Sequence, residues 1–320
     1  MNPDLPPADA SAKRVPSNLR LRVIWGSIAA ALLIGCTYGG PISFGLFFAA
    51  VQAVMLKEFY RIMRAAGYAP AKWIGIVAGV VIFVCIYFIT SNYFNLISSS
   101  TIYPPLDPTQ PIEGAPELTR LPTADFIIYL SAIFGALLTP ILIVWEITRW
   151  PNNGQPFTNV AATLAGLFYI SLPMALLNAV AFNKHRIYDP RHVFCLIVLV
   201  WAADTGAYFA GKNFGKHKLA PSISPGKTWE GWAGGALLAL ATGWAFGQFV
   251  PDIPLTHRLV AAGVVAVFGP LGDLAESMLK RSAGVKDSGT FLPGHGGLLD
   301  RFDAFLLVLP VLVLLQLLAG

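Results

Sequence analysis

Charge is scarce in this chain. Of its 320 residues only 12% are Asp, Glu, Lys or Arg, 55% are hydrophobic, and the mean hydropathy is +0.62. Soluble domains carry about 25% charged residues, so a soluble globular fold is excluded. Cysteine is scarcer still. Cys36, Cys85 and Cys195 each lie inside an apolar run without metal-type spacing and read as packing residues. His185, His192, His217 and His257 show no ligand spacing either. Strict polar–apolar alternation is missing and the apolar runs are long, which excludes a transmembrane β-barrel. No internal repeat is visible, which counts against a transporter built from paired repeats with broken helices. A complete P-loop is also lacking. Gly226-Lys227-Thr228 would need glycine at 221, where Pro221 stands. Gly211 to Lys216 is one residue short and continues with His217 instead of Ser or Thr.

What the chain does have is apolar length. A helix needs roughly 20 apolar residues to cross a bilayer. Candidate spans fall at about 21–38, 41–56, 72–91, 124–147, 158–182, 192–210, 231–250, 257–272 and 304–319. The expected fold is all-α, a polytopic transmembrane helical bundle of roughly nine spans. Residues 1–18, rich in Pro, Ala and Ser, read as a disordered cytoplasmic tail. Residues 19–200 read as an amino-terminal transmembrane region and 201–320 as a carboxy-terminal catalytic region. The first apolar run follows Arg20 and Arg22 without a clear cleavage site, as an uncleaved signal-anchor does.

The net charge of +5 reflects basic cytoplasmic loops, and no nucleic-acid partner is expected. Lys13, Arg14, Arg20 and Arg22, and then Lys57, Arg61, Arg64 and Lys72, mark two such segments. The Pro- and Ser-rich stretch 92–123 reads as an external loop. Alternation then places 211–230 and 273–303 in the cytoplasm. It also places Lys184, Arg186 and Arg191 outside, against the positive-inside rule, unless 158–182 is not a simple span. The pairs Gly75/Gly79, Gly231/Gly235 and Gly243/Gly247 have GxxxG spacing. They read first as packing within the chain and leave a homodimer face open.

The chemistry concentrates in two polar blocks. From Gly272 to Asp303 the chain holds four Asp, one Glu, two Lys, two Arg and one His, flanked by apolar runs. A charge costs a few kcal/mol or more at the bilayer centre, so this block belongs to water or a polar cavity. Asp273, Ser277 and Lys280 share one helix face, and Asp300 and Asp303 form a second pair at the start of the last span. The Pro293–Gly297 segment between them breaks helices and lets the carboxylates converge. Carboxylates without cysteine suit a hard ion such as Mg²⁺. Lys280, Arg281, Lys286 and Arg301 suit phosphate. Together they describe phosphoryl or nucleotidyl transfer. In the second block Asp204 lies inside an expected span, where an acid is functional by default. Lys212 and Lys227 are positioned to meet phosphates. His295, between glycines, serves equally as a base or as a loop hydrogen-bonder.

Ser277, Lys280-Arg281, Lys286-Asp287, Pro293, His295-Gly296-Gly297, Asp300-Arg301 and Asp303 resemble, in order and spacing, the signature of the phosphatidate cytidylyltransferase family. The Asp204–Gly211 and Ser224–Gly231 segments resemble that family too, so the likeness covers roughly 201–304. It implies that CTP and phosphatidic acid, a membrane lipid, are converted with Mg²⁺ to CDP-diacylglycerol and pyrophosphate. More than one divalent or accessory cation site is implied. The implied location is a bacterial cytoplasmic membrane, with the active site facing the cytoplasm. On this reading Asp273, Asp300 and Asp303 hold metal, and Ser277, Lys280 and Arg281 contact phosphates. Lys212 and Lys227 help bind CTP or the lipid phosphate, alongside Asp204, Lys286, His295 and Arg301 as substrate-binding residues. The rival enzyme is a CTP-dependent polyprenol or lipid kinase, which moves the γ-phosphate.

Overall fold

The computed structural model describes residues 19–91, 124–151, 155–182, 187–289, 291 and 296–318. The expected tail 1–18, the external loop 92–123, Lys184 to Arg186 and His295 lie outside the described residues. Among the described residues the nine apolar runs form nine helices: α1 (Leu19–Tyr38), α2 (Pro41–Ala65), α3 (Lys72–Thr90), α4 (Ala124–Thr148), α5 (Pro156–Ala181), α6 (Pro190–Phe214), α7 (Trp229–Ala245), α8 (Leu255–Ser282) and α9 (Leu299–Leu318). Seven are long and apolar enough to cross a membrane, α2 to α6, α8 and α9. The apolar part of α1, Ile24–Tyr38, is shorter, and α7 has 17 residues.

Local chemistry starts and bends these helices. Gly40, at φ 112°, turns the chain so that Pro41 opens α2. Asp189 caps α6, its Oδ1 accepting from the Arg191 backbone N–H at 3.0 Å. Within α5, Leu167–Ser171 widens into a π-helical turn followed by Pro173, which has no N–H to return to the preceding turn. The 158–182 run is therefore one continuous span with a π-helical irregularity at its middle.

Contacts gather several helix ends at one end of the bundle. Glu58 on α2 meets Leu299 on α9, Asn159 on α5 meets Ala69 before α3, and Lys227 before α7 meets Asp273 on α8. At the other end Tyr188 bonds Thr37, and Arg191 reaches Asp252. Arg191, which the expected alternation places outside, has its charge offset locally. Its guanidinium is paired with Asp189 at 2.7 Å and Asp252 at 2.8 Å. The hydrogen bond from Arg191 also holds the Asp189 carboxyl below the usual carboxylate range.

The core is continuous across α2, α5, α6, α8 and α9, with Phe48 set edge-on to Phe302 at 6.2 Å between ring centroids. The GxxxG glycines serve this packing within the chain. Tyr60 sits against Gly75 and Gly166, and its hydroxyl donates to the Thr163 carbonyl at 2.9 Å. A Cβ at Gly235 would lie 2.7 Å from the Ala203 carbonyl oxygen, so α6 and α7 touch backbone to backbone. Gly243 meets Ala262 on α8 in the same way.

Candidate active site

The first part of the site is a cavity of about 380 Å³ between α6, α7, α8 and the link joining α6 to α7. Asp204, Tyr208 and Gly211 follow one face of α6 and line it, with Lys212 beside them. The link is not a plain loop. It folds as an antiparallel ribbon, β1 (Lys218–Ala220) and β2 (Ser224–Thr228), with Lys218 opposite Thr228 and Ala220 opposite Ser224. Glu230 fastens the ribbon, accepting from the backbone N–H groups of Lys216 at 3.1 Å and His217 at 3.2 Å. A hydrogen bond from its own backbone N–H, then one from the His217 ring, draws the Glu230 carboxyl down to about 2. Thr228 caps α7 by accepting from the Gly231 N–H at 3.1 Å.

A proline shapes the cavity wall. Pro270 lies inside α8 and has no N–H to give the Ala266 carbonyl one turn earlier. Trp232 on α7 takes its place, its indole Nε1–H donating to that carbonyl at 2.7 Å. The Pro270 carbonyl accepts from Lys227 Nζ at 3.3 Å, and the same ammonium pairs with Asp273 at 2.7 Å. The ribbon thus delivers a lysine from outside the helices onto the first carboxylate of α8.

The second part adjoins Asp273. Asp273, Glu276 and Lys280 follow one face of α8. The expected seam of Asp273, Ser277 and Lys280 is present, with Ser277 half-buried at its side and Glu276, 1% exposed, at its centre. Gly272 admits α9: a Cβ there would lie 2.5 Å from the Asp303 carbonyl oxygen. Asp303 stands at this crossing, with Asp273 and Glu276 as its neighbouring charges. Lys280 Nζ bridges Glu276 at 2.7 Å and Asp300 at 2.6 Å. Asp300 Oδ2 also accepts from the Gly297 N–H and the Ser288 hydroxyl, each at 2.8 Å.

The remaining expected residues divide by position. Asp204 opens into the cavity, where Asp273, Lys227 and Arg301 are the charges acting on it. Lys212 lies at the rim, its ammonium 5.9 Å from the Tyr208 ring centroid. Arg281, Lys286 and Arg301 are exposed around the site. Two buried acids in and beside the site were not assigned from the sequence. Glu276 was legible from its spacing to Lys280. Glu58, 5% exposed on α2, accepts from the Leu299 N–H at 2.8 Å across a separation that no local pattern reveals.

Among the described residues no group of three or more His, Cys, Asp or Glu is drawn together around one point as metal ligands. Asp300 stands apart from Asp273 and Asp303, engaged with Lys280 and Ser288. The donor chemistry nevertheless fits a hard cation. Every acidic donor is a carboxylate oxygen, and the buried Glu276 Oε1 and Tyr169 hydroxyl have no hydrogen-bond partner. The acids acting on Tyr169 are Glu276, Asp303 and Asp273.

Comparison with known proteins places this geometry. The sequence profile of the cytidylyltransferase family matches residues 20–318. The phosphatidate cytidylyltransferase of Bacillus subtilis (strain 168) is 32% identical over 301 residues, covering 93% of this chain and 97% of that protein. That of Haemophilus influenzae is 47% identical over 136 residues, 40% of this chain and 47% of its own. That of Staphylococcus epidermidis is 41% identical over 180 residues, 56% of this chain and 67% of its own. With the match running from the start of α1 to the end of α9, through both parts of the site, the chain belongs to the cytidylyltransferase family.

Proposed function

We propose that this chain is a membrane-embedded CTP:phosphatidate cytidylyltransferase, transferring CMP from CTP to phosphatidic acid and yielding CDP-diacylglycerol and pyrophosphate. One observation carries the reading. The Lys227–Asp273 pair joins the cavity lined by Asp204, Tyr208 and Lys212 to the carboxylates of α8 and α9, within a chain matched along nearly its whole length. Lys227, Lys280, Arg281 and Lys212 meet phosphate oxygens and offset the negative charge of the triphosphate and the lipid head group. Asp204 orients substrate from the cavity wall, with Ser277, Lys286 and Arg301 at the periphery. An oxygen of the lipid phosphate attacks the α-phosphorus of CTP. The new P–O bond forms as the bond to the oxygen bridging to the β-phosphorus breaks, and pyrophosphate leaves. The attacking phosphate is already ionised, so the step needs no general base and His295 need not act as one.

Asp273 and Asp303, with Glu276 between them and Lys280, would hold Mg²⁺, and Asp300, on the far side of Lys280, would serve a further cation. When bound, such an ion neutralises charge on the polyphosphate. The site-bearing face is assigned to the cytoplasm and inner leaflet of a bacterial cytoplasmic membrane, because Lys57, Arg61, Arg64 and Lys72 lie on it.

The test uses purified protein in detergent with phosphatidic acid, Mg²⁺ and CTP labelled in the cytidine ring. Label entering lipid, with equimolar pyrophosphate, is the expected result. Transfer of the γ-phosphate alone would establish a lipid kinase instead. No transfer by folded protein across several phospholipid acceptors would overturn both.

A further inference from the structure

We infer that Glu58 is a positioning residue for this reaction, held on the front half of the chain and acting through Ser288 and the start of α9; the inference rests on the function proposed above. None of the described ion pairs includes Glu58, although its side chain is buried. Its partners come from both sides of the loop. The Leu299 N–H, an end group of α9 without an intrahelical acceptor, donates to Oε2 at 2.8 Å. The Ser288 hydroxyl lies 3.4 Å from the same oxygen. Gly289 and Gly297 bring their backbones against the carboxylate, and a Cβ at Gly297 would stand 2.5 Å from Oε2. A side chain at either place would have to displace the Glu58 carboxylate. One turn further along α2, Arg61 donates to the carbonyls of Ser288 and Asp287.

The consequence reaches the site in one step. Ser288 Oγ, fixed between α2 and the loop, donates to Asp300 Oδ2 at 2.8 Å, while Lys280 holds the other oxygen. A negative group at the amino end of α9 is also favourable to that helix, and it sets where Asp300 and Asp303 begin their turn. Glu58 touches neither nucleotide cavity nor reacting atoms. It places Asp300, which in turn holds Lys280.

The experiment measures the loop without substrate and the rate with it. Glu58→Gln keeps size and an acceptor but removes the charge, and Arg61→Ala alters an exposed side chain with little risk to folding. In both, tryptic cleavage after the exposed Lys286 should accelerate about tenfold in the substrate-free protein, as loop opening becomes more populated. The Glu58→Gln enzyme should lose about 10- to 100-fold in kcat, with KM for CTP within about twofold, and Glu58→Asp should recover part of the loss. Wild-type cleavage rates in both variants would overturn the inference, as would a loss confined to KM. Should Glu58→Gln not fold, Arg61→Ala alone decides: accelerated cleavage supports the latch and an unchanged rate refutes it. Cleavage is read without CTP, so a chain with another activity would still show the latch, and the two readings fail separately.

Discussion

The two ends of the helices carry the same small device, one cation between two carboxylates. At one end Arg191 lies between Asp189 and Asp252, and at the other Lys280 lies between Glu276 and Asp300. The first is open to water, with Arg191 42% and Asp252 69% exposed. The second is closed, with Lys280 14% and Glu276 2% exposed. Around Arg191 the charges are satisfied and the pairs tie two connections together. Around Lys280 further acids, Asp273 and Asp303, crowd in, and Glu276 keeps an oxygen without a partner. Surplus negative charge out of water is costly. The contrast distinguishes a finished ion pair from one whose electrostatics a bound cation would complete.

The comparison can be broken at either end. Chelation should have the largest effect: with EDTA, turnover of label into lipid falls to background, and Mg²⁺ restores it. An unchanged rate would remove the metal from the proposal. Asp273→Asn and Asp303→Asn should each lower kcat by about 10²–10³, the scale of losing one preorganised electrostatic group. Circular dichroism and elution volume should match wild type, and near-normal turnover in either variant would end the metal assignment. Lys227→Met leaves Asp273 unpaired at the cavity wall and should cost about 10- to 100-fold in kcat/KM for CTP, read by initial rates.

Smaller effects sharpen the contrast through packing. Gly75→Val, driven into Tyr60, should destabilise by about 1–3 kcal/mol, seen as a lower unfolding temperature with the rate at low temperature retained. Arg191→Ala should change turnover by less than about twofold and stability by less than about 1 kcal/mol, as exposed pairs do. A large loss of activity there would erase the distinction between the two ends.

The bundle was legible because membrane spans announce themselves by length and apolarity, each read within one window. The Asp273–Lys280 seam was legible for the same reason, being a helical period within eight positions. The ribbon before α7 was not. Its strands are three and five residues long, and Ser-Pro-Gly-Lys carries no alternation. Glu58 was hidden for a different reason. In sequence it is one acid in a basic segment, and its meaning lies in Leu299, which only the packing of α2 against α9 supplies. The π-helical turn in 158–182 had no sequence signal, and it leaves the span continuous, so it does not account for the charges that follow.

The acids and the lysine that meets Asp273 ride on different kinds of support. Asp273, Glu276, Asp300 and Asp303 belong to helices embedded in the bundle, whereas Lys227 belongs to a two-stranded ribbon, a unit with marginal stability of its own. Warming should therefore separate the two: affinity for CTP weakens first, while the acidic cradle and the bundle persist. An organism growing at higher temperature would gain most by stiffening the ribbon, and exchanging residues 216–228 between relatives is the direct way to retune the working range without touching the membrane helices.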